Sequence, residues 1–298
     1  MNRPDFGGKW TSEKLQRVEN YLRAYMRAMK NQPFELFYID AFAGAAMMPL
    51  EEDESHEATL FAQEETDDTN DFRKGSVLRA LELGRPFDRY ILIEEDRKQY
   101  ESLQEVRVTY PDLSSRIVLV NGDSNEYLRK FCQEEIPRSQ GVRGVVFLDP
   151  YGMQVEWETM EALARTQVLD VWLLFPLGVA VNRMLSRNGN IQGSWKRALT
   201  RVFGDDEWLT AFYEEDPQQR IANDLQSRRR IVELRDIARY YHGKLESIFP
   251  AVAQNPLALE NSSGNPLYML FFACANPSPR ANGLALKIAE NILNPERA

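Results

Sequence analysis

A carboxylate, a proline and an aromatic ring follow one another at the end of an apolar run. Val145-Val146-Phe147 leads into Leu148-Asp149-Pro150-Tyr151-Gly152. The Asp149 carboxylate and the Pro150 carbonyl can accept the two N–H bonds of an exocyclic amine, and Tyr151 can stack on the ring that carries it. This corner predicts amino-group chemistry if it lies at the carboxyl ends of parallel strands, where ligands bind in open α/β sheets. The alternative is a plain turn, because Asp, Pro and Gly all favour turns.

Three acidic residues follow three successive predicted strands upstream of this corner. They are Asp40, Glu94 and Asp123, and Glu95 could replace Glu94. In dinucleotide folds the acid after the second strand accepts hydrogen bonds from ribose hydroxyls, which is the role we assign to Glu94. Asp123 is then placed to contact an adenine amine, and Asp40 to take an ammonium group. Asp123 could instead simply cap the next helix.

The turn Phe42-Ala43-Gly44 completes this predicted cofactor half. Its glycine lets a ligand approach backbone N–H groups, so the carboxylate of a methionine moiety would lie there. Together with the three acids, the turn predicts S-adenosylmethionine as cofactor and transfer of its methyl group to an amine held at Asp149. A nicotinamide dinucleotide is the competing cofactor, although the complete G-x-G-x-x-G turn that favours it is absent.

Alternating helix and strand patterns predict the scaffold that positions these residues. Strands are expected at 35–40, 89–94, 116–120, 144–148 and 168–175, separated by helices of crossover length, which favours a parallel sheet. Residues 257–260 and 267–275 predict an antiparallel hairpin at one edge. We therefore expect an α/β, doubly wound fold: a mostly parallel sheet with a C-terminal antiparallel hairpin and a helical insertion.

Three segments follow from this pattern and from the distribution of charge. Residues 1–182 form the predicted core, interrupted by a loop at 50–74; residues 183–242 form a mostly helical, basic insertion; residues 243–298 complete the core. Ten acidic residues and no Lys or Arg lie between Glu51 and Asp71, so this one loop accounts for the formal net charge of −9. We interpret it as a solvated insertion, with a nucleic-acid mimic or a regulatory lid as the alternative.

The basic insertion predicts contacts with phosphates. Arg183 is expected at the mouth of the site as a substrate-binding residue, an ordinary surface ion pair being the alternative. Trp195 and Trp208 are expected to pack within the insertion rather than to stack on bases.

Other features exclude several classes of site. Neither His56 nor His242 has a partner at metal-ligand spacing, so no metal site and no Ser-His or Cys-His triad is expected. Cys132 and Cys274 are predicted to be buried, reduced thiols. No apolar run is long enough to span a bilayer and no secretory leader is evident, which predicts a cytoplasmic protein without membrane contact.

Several short motifs also occur in a characteristic order along the chain. They are Trp10 with the first helix, 38–44, Gly75-Ser76, Ile93-Glu94, 148–152, Trp157 and 268–276. This set resembles the three-Cys-motif partner proteins. The resemblance implies a Rossmann-like class I methyltransferase fold that uses S-adenosylmethionine. It also implies association with a separate three-Cys-motif protein of radical-S-adenosylmethionine type, within a prokaryotic modification or defence system.

Two positions depart from the motifs of nucleic-acid methyltransferases. Ala46 replaces the second glycine of the Phe-x-Gly-x-Gly turn, and Asp149-Pro150-Tyr151 lacks one proline of Asp-Pro-Pro-Tyr. A modified site and a retired one are both compatible with these changes. The leading hypothesis is methyl transfer to an amino group of a DNA or RNA base. The alternatives are a catalytically silent scaffold that binds the three-Cys-motif protein, and methylation of a protein or small molecule.

Overall fold

In the computed structural model, the chain is described over residues 8–44, 75–136, 141–150, 152–215 and 228–294. Three of the features singled out from the sequence therefore lie outside the described residues: Tyr151, Ala46 and the acidic loop at 50–74.

Five parallel strands form the centre of the sheet: β1 (Glu35–Asp40), β2 (Arg89–Glu94), β3 (Ile117–Asn121), β4 (Val142–Leu148) and β5 (Leu169–Phe175). Their order is β3-β2-β1-β4-β5. The chain adds β2 and β3 on one side of β1 and then β4 and β5 on the other side, so the strand order switches between β1 and β4. β1, β2, β4 and β5 are rich in β-branched and aromatic residues and are almost wholly buried, as is typical of a sheet covered on both faces, whereas β3 is only partly buried.

Helices cover both faces of this sheet. One face carries α1 (Gly8–Ala28), α2 (75–81), α3 (Arg97–Thr109) and, from the end of the chain, α10 (Pro279–Leu293). The other face carries α4 (Ser124–Lys130) and α5 (Trp157–Arg165). Helix α1 also bonds to a strand through its buried face, since the Tyr21 hydroxyl donates to Asp170 Oδ2 at the start of β5, at 2.6 Å.

The segment after β5 contains more than helices. It comprises α6 (Asn182–Met184), α7 (Gly193–Phe203), α8 (Trp208–Phe212), β6 (Tyr213–Glu215), β7 (Arg228–Arg230) and α9 (Leu234–Ile248). The antiparallel pair β6–β7 differs from the mostly helical insertion expected at 183–242. It forms because an acidic and a basic run face each other, with Glu214 opposite Arg229.

Helix α9 also runs past the expected boundary at residue 242. Ile237, Tyr241 and Leu245 lie at helical spacing and are fully buried, so the same apolar face continues into the core. Trp208 is buried as expected, and Trp195 is half-buried. The division into core, insertion and C-terminal segment stays a prediction.

The C-terminal strands complete the sheet. β9 (Leu257–Glu260) pairs antiparallel with β10 (Pro266–Cys274), which confirms the predicted hairpin. β10 also pairs antiparallel with β5 and with β8 (Ala251–Val252). The fold is therefore α/β and Rossmann-like, with a mostly parallel sheet and an antiparallel C-terminal strand, as the sequence predicted for a methyltransferase fold.

Three further observations concern thiols, metal ligands and the length and polarity of the helices. Cys132 and Cys274 are both free and buried. No described group of His, Cys, Asp or Glu side chains is arranged to hold a metal ion. Within the described ranges, every helix is too short or too polar to cross a bilayer.

Candidate functional site

A cavity of about 600 Å³ opens at the carboxyl ends of β1, β2 and β3. Three predicted cofactor residues, Phe42, Glu94 and Asp123, line it together. The remaining lining residues come from the loops after β1, β2 and β4 and from α3, α4 and α7: Ala41, Ile93, Glu95, Asp96, Arg97, Gln99, Ser124, Asn125, Met153, Gln154, Glu156 and Arg201. The structure thus places a ligand-sized space where the strand order of the sheet predicts one.

Glu94 joins the turns that follow β1 and β2. Its Oε2 accepts a hydrogen bond from the Gly44 amide and its Oε1 accepts one from the Asp96 amide, each at 2.8 Å. Gly44 has φ +62°, in the left-handed region that favours glycine. Because each carboxylate oxygen has a second lone pair, a fixed Glu94 keeps acceptor capacity for the hydroxyl groups of a ligand.

Asp123 fits both of the roles considered from the sequence. It lines the cavity with an exposed side chain, and its Oδ1 caps α4 by accepting the Glu126 amide at 2.7 Å. Asn125, which the sequence analysis did not single out, ties α4 to the loop after β4. Its side chain donates to the Gln154 carbonyl at 2.8 Å and accepts from the Glu156 amide at 3.0 Å. Asn125 therefore fixes the wall of the cavity nearest β4.

Asp149 lies in a second group, at the ends of β4 and β1. The Lys14 ammonium of α1 donates to Asp149 Oδ1 at 2.9 Å; the side chain of Lys14 is 1% exposed and that of Asp149 is 12% exposed. Sequence analysis missed Lys14, although a signal was available. Lys14 precedes Val18 by four residues and Tyr21 by seven, so it lies on the buried face of α1. A lysine on an apolar helix face needs a buried partner.

Asp40 lies close to this ion pair and is fully buried. Its Oδ2 accepts from the Tyr38 hydroxyl at 3.3 Å, whereas its Oδ1 has no hydrogen-bond partner among the described residues. Burial raises the pKa of Asp40 to about 7; a hydrogen bond from Ser76 opposes this rise and the charge of Asp149 adds to it. Asp40 is absent from the cavity lining, so its expected contact with an ammonium group stays a prediction.

The raised pKa of Asp40 predicts how stability changes with pH. The folded state keeps the Asp40 proton up to about pH 7, while the unfolded chain releases it near pH 4, so the free energy of unfolding falls as pH rises through this window. Asp40→Asn does not titrate. As the pH rises from 5 to 8, we expect the free energy of unfolding of this variant to increase by about 2–3 kcal/mol relative to that of wild type. Urea unfolding at the two pH values measures the change. Asp112→Asn, at an exposed position, should show no such gain; equal gains in both variants would contradict the assignment.

The remaining predicted residues are distributed unevenly. Ala43 is fully buried and Pro150 is buried beside Asp149. Arg183 is exposed on α6 and is not among the residues that line the cavity. The structure therefore assembles the cofactor half around Glu94 and places Asp149 with Lys14, while Arg183 stays apart from the cavity.

Comparison with known proteins finds structures of low sequence identity. No model of a protein family matches the sequence, and no curated protein matches it. Among solved structures, protein LPL1258 from Legionella pneumophila str. Philadelphia 1, of family DUF519, is 15% identical; the match covers 97% of this chain and 94% of that one, with a TM-score of 0.46. The N-terminal domain of EvdMO1, solved with SAH bound, is 12% identical over 86% of this chain and 80% of that one, with a TM-score of 0.34.

Proposed function

We propose that this protein is an S-adenosylmethionine-dependent methyltransferase that modifies an amino group of a nucleic-acid base. The observation that carries the proposal is Glu94, held by the Gly44 and Asp96 amides at the edge of a cavity over β1, β2 and β3. A carboxylate in this position suits the two hydroxyl groups of a ribose.

The charge of the cavity supports this cofactor over a dinucleotide. Five carboxylates line it, from Glu94, Glu95, Asp96, Asp123 and Glu156, against two guanidinium groups, from Arg97 and Arg201. The phosphates of a nicotinamide dinucleotide would meet this negative lining, whereas S-adenosylmethionine has no phosphate and carries a sulfonium and an ammonium group against a single carboxylate. Opposite charges at short range favour binding and like charges oppose it. The residues present therefore fit S-adenosylmethionine better than a dinucleotide.

Asp149 is the residue we assign to the methyl acceptor. The cofactor supplies an activated methyl group; the protein's part is to hold the acceptor amine and to remove the proton that its nitrogen loses. Lys14 bonds to Asp149 Oδ1 and offsets its charge, so Oδ2 is the oxygen we assign to the amine N–H. Positioning of this kind supplies a large part of the rate in such transfers.

Asp149→Asn tests this assignment. We expect the transfer of a radiolabelled methyl group to DNA and RNA oligonucleotides to fall by at least about 100-fold, the usual range for losing a proton acceptor. Affinity for the cofactor should change little, because Asp149 is not in the cavity lining.

The control variant is Asp112→Asn, at an exposed position on the same chain. It should transfer methyl groups as wild type does. Undiminished transfer by Asp149→Asn would refute the role of Asp149, and transfer by wild type to protein but never to DNA or RNA would refute the acceptor class.

A silent scaffold is the second candidate, favoured by one observation. The ion pair with Lys14 occupies Asp149 and leaves little of it exposed. In this case the chain would serve to bind the three-Cys-motif protein that its sequence resemblance implies. Co-purification of the two proteins without cofactor binding would favour the scaffold, whereas cofactor binding by this chain alone would favour the enzyme.

A further inference from the structure

We infer that the exposed face of α7 is a groove for the phosphodiester backbone of a nucleic acid, which would run beside the cofactor cavity. This inference rests on the proposed function, because it places the strand that carries the methyl acceptor beside the site.

A second cavity, of about 780 Å³, lies along α7. It is lined by Gly193, Ser194, Lys196, Arg197, Thr200, Arg201 and Asp206. Leu199, Val202 and Phe203 fix the opposite face of the helix in the core, so the cationic side chains are directed outward. Three cations and one carboxylate therefore line a groove on a rigid helix.

The single carboxylate of the groove is already engaged. Asp206 accepts a hydrogen bond from the Thr200 hydroxyl and lies 3.8 Å from the Lys196 ammonium. No described carboxylate lies within ion-pair distance of Arg197. Arg197 and Arg201 are one turn apart, and like charges at this spacing destabilise an isolated helix. An anion bound between them would relieve the repulsion.

The groove meets the cofactor cavity at one residue. Arg201 lines both spaces and is held at their junction by Glu156, at 3.7 Å. Acidic groups thus line the inner space and basic groups the outer one. The acidic space suits the cationic cofactor and the basic space suits the polyanionic backbone of a nucleic acid, so the two ligands would lie side by side.

The spacing of the charges and the net charge of the chain also favour this occupant. Four residues of helix separate the Cα atoms of Arg197 and Arg201 by about 6 Å, comparable to neighbouring phosphates along an extended strand. The acidic loop at 50–74 accounts for the net charge of −9 and would repel a polyanion, so binding requires a local basic surface. Binding should therefore depend on the residues of this groove.

The test is fluorescence anisotropy with a labelled single-stranded DNA oligonucleotide at several salt concentrations. Lys196→Gln/Arg197→Gln should weaken binding about tenfold or more at low salt. The slope of log affinity against log salt should become shallower by about 1.4, because each phosphate that a cation neutralises on a single strand contributes about 0.7. Both positions are outside the cofactor cavity, so S-adenosylmethionine affinity should stay within about twofold of wild type.

Arg27→Gln/Lys30→Gln is the matched control, because it removes two exposed cations at the end of α1, outside the basic insertion. This control should bind the oligonucleotide as wild type does. Equal affinities of the two double variants for the oligonucleotide, or no binding of it by wild type, would overturn the inference. Titration of S-adenosylmethionine tests the proposed function separately. Binding of polyglutamate in preference to the oligonucleotide would also overturn it, in favour of an acidic protein.

Discussion

Replacing Lys14 with methionine is expected to lower the free energy of unfolding by about 3–5 kcal/mol, the usual cost of breaking a buried ion pair from one side. Methionine keeps most of the volume and length of the side chain, so the loss of stability comes mainly from the Asp149 carboxylate that no longer has a cationic partner. Asp149 would remain at the edge of the core without its cation and close to Asp40. Urea unfolding measures the change directly, with an unchanged m-value showing that the same surface is exposed.

Two further variants show whether the pair itself is responsible. Lys14→Met/Asp149→Leu should recover most of the lost stability, because apolar replacement of a whole buried pair is often neutral or stabilising. Arg23→Met breaks a pair with Glu19 in which the arginine side chain is 46% exposed, and should cost no more than about 1 kcal/mol. If Lys14→Met were as mild as Arg23→Met, α1 would not be coupled to β4 through this ion pair.

Glu94→Gln is expected to weaken S-adenosylmethionine binding about 10- to 100-fold. The carboxylate accepts backbone amides on both oxygens, and a glutamine would turn an NH₂ group toward one of these N–H donors. The misplaced side chain would lose the hydrogen bond that the charged carboxylate accepts from a ribose hydroxyl. Such a loss costs about 1.5–3 kcal/mol, and each 1.4 kcal/mol corresponds to tenfold in affinity. Calorimetric titration of the cofactor measures the change.

Glu95→Gln provides the matched control for this prediction. Glu95 is the adjacent residue and also lines the cavity, but its side chain is exposed and is not the acceptor of the Gly44 amide. The affinity of this variant for S-adenosylmethionine should stay within about threefold of that of wild type. Equal losses in the two variants would show that general negative charge, rather than the oriented carboxylate of Glu94, recognises the ligand.

The central strands were predictable because their signals are local. Glu35–Asp40 and Arg89–Glu94 have the bounds expected from their apolar runs, and the acids at their ends follow from those bounds. The cavity could be anticipated for the same reason, since the ends of neighbouring parallel strands meet at one edge. Glu94 and Asp123 therefore lie where the sequence indicated.

The ion pair of Asp149 could not be predicted from the strand that carries it. Its partner, Lys14, is 135 residues away in the sequence, on the first helix. The burial of Asp40 depends in the same way on α2, which supplies Ser76. Contacts of this range depend on how the helices pack on the sheet, which a single sequence does not reveal.

The short strands β6 and β7 were missed for a different reason. Arg228–Arg230 has no alternation of apolar and polar residues, and such basic runs usually lie on helix surfaces. The pairing depends on Glu214, which offers an opposite charge directly across the ladder from Arg229. Tertiary context here outweighs local propensity.

The central claim is that the cavity over β1, β2 and β3 binds S-adenosylmethionine. Parallel calorimetric titrations of the wild-type protein with S-adenosylmethionine and with NAD test it most directly. The account predicts saturable binding of S-adenosylmethionine at one site per chain, and little or no heat with NAD, because the lining of the cavity is acidic. Binding of NAD alone, or of neither compound, would contradict it.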